Sequence, residues 1–283
     1  MNLIQIETTY KPEVALEHIV ANEGSFSDSV TSIANYFPSL KSMFSGSADI
    51  LSDLSDKASG LVSKLSSFSS SDAHAAEGVK FSEFSKVKLQ VPESFSGNLC
   101  HYAEFLQRSD VFLNNKAIPM LDEFYVSLAA FASNKDSKIT LLDTSNNYKS
   151  VEATYQELVK ESIIYFGKRR HNSGSATIGD TFMDDAEFTK TMQISKQLVK
   201  KLSPGDVKNI LGRVNKISSV LNVVIEDAQK REFDKASHAA VKSLANGVFA
   251  MAEIVEFYAV TYYRITELAT VMGNNAQTMK KLR

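Results

Sequence analysis

From Val241 to Met272 an apolar residue returns every three or four positions: Val241, Leu244, Val248, Met251, Val255, Tyr258, Tyr262, Ile265, Ala269 and Met272. That spacing keeps one stripe of an α-helix against a partner over its whole length. A second series of the same kind runs Val207, Ile210, Val214, Ile217, Leu221, Val224 and Ala228. A third, Leu51, Leu54, Ala58, Leu61, Leu65 and Phe68, crosses the serine-rich stretch from Ser42 to Ser71. Serine and glycine weaken helix interiors, so this third helix needs a packing partner to persist. Two long seamed helices with a short connection most simply form an antiparallel hairpin. Three seams predict a coiled-coil-like bundle whose helices satisfy one another. The phenols of Tyr258 and Tyr262 suit a globular bundle better than a tight two-stranded coil.

Around these seams the pattern is more broken. Leu3 to Tyr10 alternates and predicts a short strand, followed by helices from Pro12 to Gly24 and from Ser27 to Tyr36. Ser70 to Gly78 predicts an exposed linker, and Val87, Leu89 and Val91 a strand stopped by Pro92. Further helices are expected over His101–Asn114, Pro119–Ala132, Ser150–Phe166 and Asp184–Leu202, the last ending at Ser203-Pro204-Gly205. Ile139 to Leu142 reads as a strand or loop, and Gly167 to Thr181 as a loop. The final helix, from about Asp234, is expected to stop at Gly273-Asn274-Asn275. The fold class expected is mainly α, an elongated helical bundle with long antiparallel C-terminal helices and minor short strands near the N-terminus. It divides into an irregular helical region at 1–78, containing the serine-rich segment, and a bundle body at 79–283.

Composition narrows the functional classes. The 283 residues are 43% hydrophobic and 23% charged, values of a folded chain. A formal net charge of -2 argues against a protein devoted to coating nucleic acid. A single cysteine, Cys100, excludes an internal disulfide and a cysteine-based zinc site within one chain. The N-terminus lacks the basic-then-apolar pattern of a secretory signal, and no apolar run approaches the roughly 18 residues of a membrane span.

No residue set carries a reaction. Gly174 to Gly179 has glycines without phosphate-loop spacing, and the five histidines have no nucleophile-base arrangement around them. His101 and Glu104 share a helix face but lack a third ligand. Asp184-Asp185 opens a helix, where the dipole favours acids. No catalytic, cofactor or metal residue is therefore assigned, and an enzyme is not expected. The strongest charge cluster is Lys168, Arg169, Arg170 and His171, a candidate contact to phosphate or DNA, supported by the basic tail Lys280-Lys281-Leu282-Arg283. The serine-faced helix could adsorb to loosely packed membrane, but Asp49, Asp53 and Asp56 oppose anionic lipid, which favours packing against protein.

Ala21-Asn22-Glu23-Gly24 and Ala75-Ala76-Glu77-Gly78 share a small-x-Glu pattern at a helix end or linker, making Glu23 and Glu77 candidate processing sites. The pattern resembles the sites cut by prohead proteases of large tailed bacteriophages. With the serine-rich N-terminal part, the absence of Trp and the helical C-terminal bulk, the chain resembles in general character the virion structural or internal head proteins of giant (phiKZ-like) phages. That resemblance implies a non-enzymatic assembly protein in the virion, put together in the bacterial cytoplasm. It would act through helix-helix contacts with other structural subunits, with a weak DNA contact and no membrane. The alternative is a cytosolic helical adaptor or peripheral membrane protein using the serine-rich helix.

Overall fold

A computed structural model describes residues 70–133, 146–166, 174–202, 204–230 and 235–283, and with them 46, 49 and 51–53. The expected elements before residue 46, the run at Ile139–Leu142 and most of the serine-rich seam lie outside these residues. Within the seam, Leu51 to Asp53 is helical, with Leu51 fully buried in the main core and Ser52 and Asp53 exposed.

The chain continues through a helical turn, α1 (Ser70–Ala73), and a series of turns to the strand β1 (Lys88–Gln90). The exposed linker expected at Ser70–Gly78 is not one. Ala73, Ala75 and Ala76 are small enough to seat in the core and are buried there. Asp72 accepts an ion-pair contact from Lys280 near the C-terminus.

Helix α2 (Leu99–Phe112) starts where Gly97, at φ +114°, turns the chain into Asn98. The Asn98 side chain caps the helix by accepting from the amides of Cys100 and His101, at 2.7 and 3.1 Å. The helices expected at His101–Asn114 and Pro119–Ala132 are one rod. A π-helical turn (Leu113–Ala117) carries α2 into α3 (Ile118–Ser133) without a break. Pro119 lacks an amide donor and would disrupt α-spaced bonding, and the wider π spacing sits directly before it. Helix α4 (Asn146–Phe166) returns antiparallel to α2, shown by Arg108 pairing with Glu161 while Phe105 meets Tyr165.

The loop expected over Gly167–Thr181 contains structure. Ser175–Thr177 is a second strand, β2, followed by a helical turn, α5 (Ile178–Thr181). β2 pairs antiparallel with β1 in the register Lys88↔Thr177, Leu89↔Ala176, Gln90↔Ser175. Ser-Ala-Thr has no apolar alternation, so only its distant partner makes it a strand. Helix α6 (Asp185–Lys201) begins as expected, with Asp184 accepting from the Glu187 amide at 2.8 Å. Pro204 occupies the first turn of α7 (Pro204–Lys230), where its missing N–H is harmless. The last helix, α8 (Lys235–Leu282), has 48 residues and spans about 72 Å at the α-helical rise.

The cross-links between helices define the architecture. Asn98 bonds to Glu187, Lys190 to Glu104, Gln107 to Gln197, Lys201 to Asp110 and Arg213 to Asp122. The sequence separation of these pairs stays between 86 and 91. The rod α2–α3 and the rod α6–α7 therefore run parallel and in register. Asp206, in the first turn of α7, acts on both Tyr258 and Tyr262, while the end of α7 and the start of α8 are close in sequence. The two C-terminal helices are thus antiparallel, as their seams predict. Among the described side chains the seams are sealed: Val207 to Val224 and Val248 to Met272 are buried at every predicted position.

Gly273-Asn274-Asn275 does not stop α8, which extends the same stripe through Ala276 and Met279. The asparagines bind β1 instead. Asn275, 1% exposed, accepts from the Gln90 amide at 2.8 Å and donates to the Gln90 carbonyl at 2.9 Å. Its amide thus serves β1 as a third strand would. Asn274 donates to the Gln90 side-chain oxygen at 2.7 Å.

Candidate functional site at the waist of the bundle

The common register places the irregularities of the two rods at one level. The π turn at Leu113–Ala117 in one rod lies beside the break between α6 and α7 in the other. Facing both are Tyr258 and Tyr262, halfway along α8. At this waist a cleft of about 370 Å³ opens, lined by Asp110, Val111, Asn114, Asn115, Lys201, Asp206 and Tyr262. π turns inside helices are frequent at functional sites, because they re-aim side chains and release backbone carbonyls.

Asp110 is the centre of the cleft. It occupies an apolar stripe position of α2, after Ala103 and Leu106 and before Leu113, and is 1% exposed. A buried carboxylate needs partners. Lys201 Nζ donates to one oxygen at 2.9 Å and Asn114 Nδ2 to the other at 2.8 Å. Asn114 also donates to the Asp110 carbonyl at 2.9 Å. The Lys201 side chain is largely exposed, so the ammonium reaches in from the solvent side.

Below Asp110 the ring of Tyr262 stacks on Tyr258, with centroids 4.1 Å apart and planes 21° apart. Burial, reinforced for Tyr258 by its neighbour Tyr262, pushes both phenols above the ordinary tyrosine range, so both stay protonated. The Tyr258 hydroxyl has no well-formed hydrogen bond among the described residues. The backbone adds an acceptor. The Ile118 amide closes the π turn on Leu113, and the next donor in that spacing would come from Pro119, which has none. The carbonyl of Asn114 therefore lacks its π-spaced donor. The lining thus brings together the Asp110 and Asp206 carboxylates, the Asn114 and Asn115 amides, the Lys201 ammonium and the Tyr262 phenol.

The sites predicted from sequence fall only in part on the described residues. Lys168, Arg169, Arg170 and His171 are outside the described residues, as is Glu23. Glu77 is exposed and followed by Gly78 at φ +79°, but Ala75 and Ala76 before it are buried. A protease that needs an extended segment would have to unseat both alanines from the core. Glu104 is held by Lys190, whose hydrogen bond draws the carboxyl below its usual range, while His101 stays at the surface. Glu77, His101 and Glu104 are not among the residues that line the waist. The one sequence signal pointing there was Asp110 on an otherwise apolar stripe.

Among the described residues no group of three or more histidine, cysteine, aspartate or glutamate side chains could hold a metal ion, and no helix is long and apolar enough to cross a membrane. No protein family, curated protein or solved structure matches this chain.

Proposed function

We propose that this protein is a non-enzymatic structural component of a phage particle, joined to neighbouring subunits by contacts between helices. The observation that carries the reading is where large apolar side chains remain exposed. Ile163 and Ile164, at the end of α4, are 59% and 65% exposed, and Met183, before α6, is 72% exposed. They flank the start of α2: Ser96 Oγ donates to the Ile164 carbonyl, while Asn98 and the Met183 amide both donate to Glu187. Val126 and Val223 are exposed beyond the waist, on α3 and α7. Isolated exposed residues are ordinary, but adjacent ones at the end of a sealed bundle suit a contact with another subunit. The phage particle as the setting rests on the sequence character alone. Lys168 to His171, which follow α4 in the chain, are the candidate contact to packaged DNA. The burial of Leu51 favours contact of that position with protein over lipid.

The test is a double substitution, Ile163→Glu with Ile164→Glu. Loss of cosedimentation with particles and of self-association by light scattering is expected. The unfolding free energy should move by no more than about 0.5 kcal/mol, as for exposed sites. Cosedimentation and association equal to the parent chain would overturn the proposal.

A further inference from the structure

We propose that the outward face of α4 is the contact for a second copy of this chain, joined as a two-fold, antiparallel helix pair. This inference rests on the reading of Ile163 and Ile164 as a subunit contact, and it names the subunit. Helix α4 turns Val151, Leu158 and Tyr165 into the core. On its opposite side Ala153, Gln156, Glu157, Lys160, Ile163 and Ile164 are all exposed. They recur at the spacing that keeps one helix face against a partner. Ile163 and Ile164 supply the apolar area of this face, and Glu157 and Lys160 supply one charge of each sign. Among the described residues no ion pair engages either charge.

The order of these residues is self-complementary. About a two-fold axis, a position that meets another is met by it in return. With the axis at the midpoint between Leu158 and Val159, Lys160 of each copy meets Glu157 of the other, and two ion pairs form. In the same register Ile164 of each copy meets Ala153 of the other, so a large side chain seats over a small one. Gln156 falls opposite Glu161, which Arg108 already pairs. Other arrangements lose this match. A parallel pair sets Glu157 against Glu157 and Lys160 against Lys160. An antiparallel pair centred on Lys160 brings the two ammoniums together. Like charges facing each other across an interface are penalised, so charge selects the antiparallel register about Leu158 and Val159. A wholly apolar partner would strip water from Glu157 and Lys160 and return nothing. The face is one helix wide, at the small end of interface areas, so the dimer exchanges with monomer on dilution.

The experiment is analytical ultracentrifugation of the full chain over a range of concentrations, where a reversible monomer-dimer equilibrium is expected. Glu157→Lys and Lys160→Glu, each made alone, should weaken dimerisation by about tenfold, because each puts two like-charge pairs into the contact. Both positions are exposed, so the fold is retained. Mixed one to one, the two variants should associate to within about threefold of the parent, since each supplies the charge the other lacks. A chain carrying both substitutions should recover likewise, which a parallel pair cannot do. A parent chain that stays monomeric, single variants that dimerise as the parent does, or a mixture no tighter than its components would overturn the proposal. Cosedimentation with particles by a chain that stays monomeric would assign the face to a different subunit, which overturns this proposal and leaves the subunit reading in place. Dimerisation without particle binding would do the reverse.

Discussion

The two halves of the bundle, divided at the waist, hold themselves together differently. Towards β1 and β2 the core is aromatic and fastened by polar cross-links. Phe95 meets Tyr102 at 5.1 Å, Tyr102 meets Tyr165 at 5.2 Å and Phe166 at 5.4 Å, and Arg264 lies 3.8 Å above the Phe166 ring. Arg108–Glu161, Lys190–Glu104, Asn98–Glu187 and Asn275–Gln90 tie separate elements across this half. Beyond the waist, apart from Phe124 and the Phe257–Tyr155 pair, the interior is aliphatic: Leu121 and Leu128 of α3 are buried with a seam of Val207, Ile210, Val214, Ile217, Leu221 and Val224. Arg213–Asp122 is the cross-link that the described side chains show between these two helices. The aromatic half has specific geometry and few equivalent packings, whereas a uniform aliphatic seam admits small slips at low cost. Register in the second half is accordingly inherited from the first, through the continuous α2–α3 rod and through α8.

The difference can be broken most severely at Phe95. Phe95→Ala should cost about 3–5 kcal/mol in urea unfolding, the usual range for emptying a buried aromatic site. Hydrogen exchange should show α2 and α4 losing protection before α7. Equal loss in both halves would contradict the division. Asn275→Ala should cost about 1–3 kcal/mol, because it strands the amide and carbonyl of Gln90. Its exchange signature should be confined to β1, β2 and the end of α8. On the aliphatic side Ile217→Val should cost only about 0.5–1.5 kcal/mol, and a larger penalty would show that the seam packs as rigidly as the aromatic cluster.

The smallest effect at neutral pH belongs to the waist tyrosines. Their folded pKa values lie above the ordinary value of 10.0, so stability is unaffected below pH 10. Above it the unfolded phenols ionise while the folded ones resist, and stability falls with rising pH. Tyr258→Phe should flatten that fall between pH 10 and 11 in urea titrations. An unchanged slope would place the alkaline loss elsewhere.

The same contrast explains what could be read from the chain. The aliphatic half was legible because periodicity is local: Val207 to Val224 and Val248 to Val255 declare their buried faces without reference to any partner. The aromatic half was not, since Phe95, Tyr102, Tyr165 and Phe182 come from different elements and share no period. Ser175–Thr177 becomes a strand only beside β1, and Asn274-Asn275, ordinary helix-stop residues, become a clamp because a strand edge lies against them. Pro119 looked like a boundary because proline ends α-spaced bonding, and the π turn before it could not be foreseen. The waist was the least legible part. It exists because two separated irregularities fall at one level, and only the parallel register of the rods brings them there.

That parallel register is the central claim, and cross-linking on both sides of the waist tests it directly. In a Cys100→Ser background, Gln107→Cys with Gln197→Cys places a pair in the aromatic half, and Asp122→Cys with Arg213→Cys a pair in the aliphatic half. A short bismaleimide should join both pairs within one chain, in high yield and under native conditions. Closure of only one pair, or of neither, would contradict two rods advancing together.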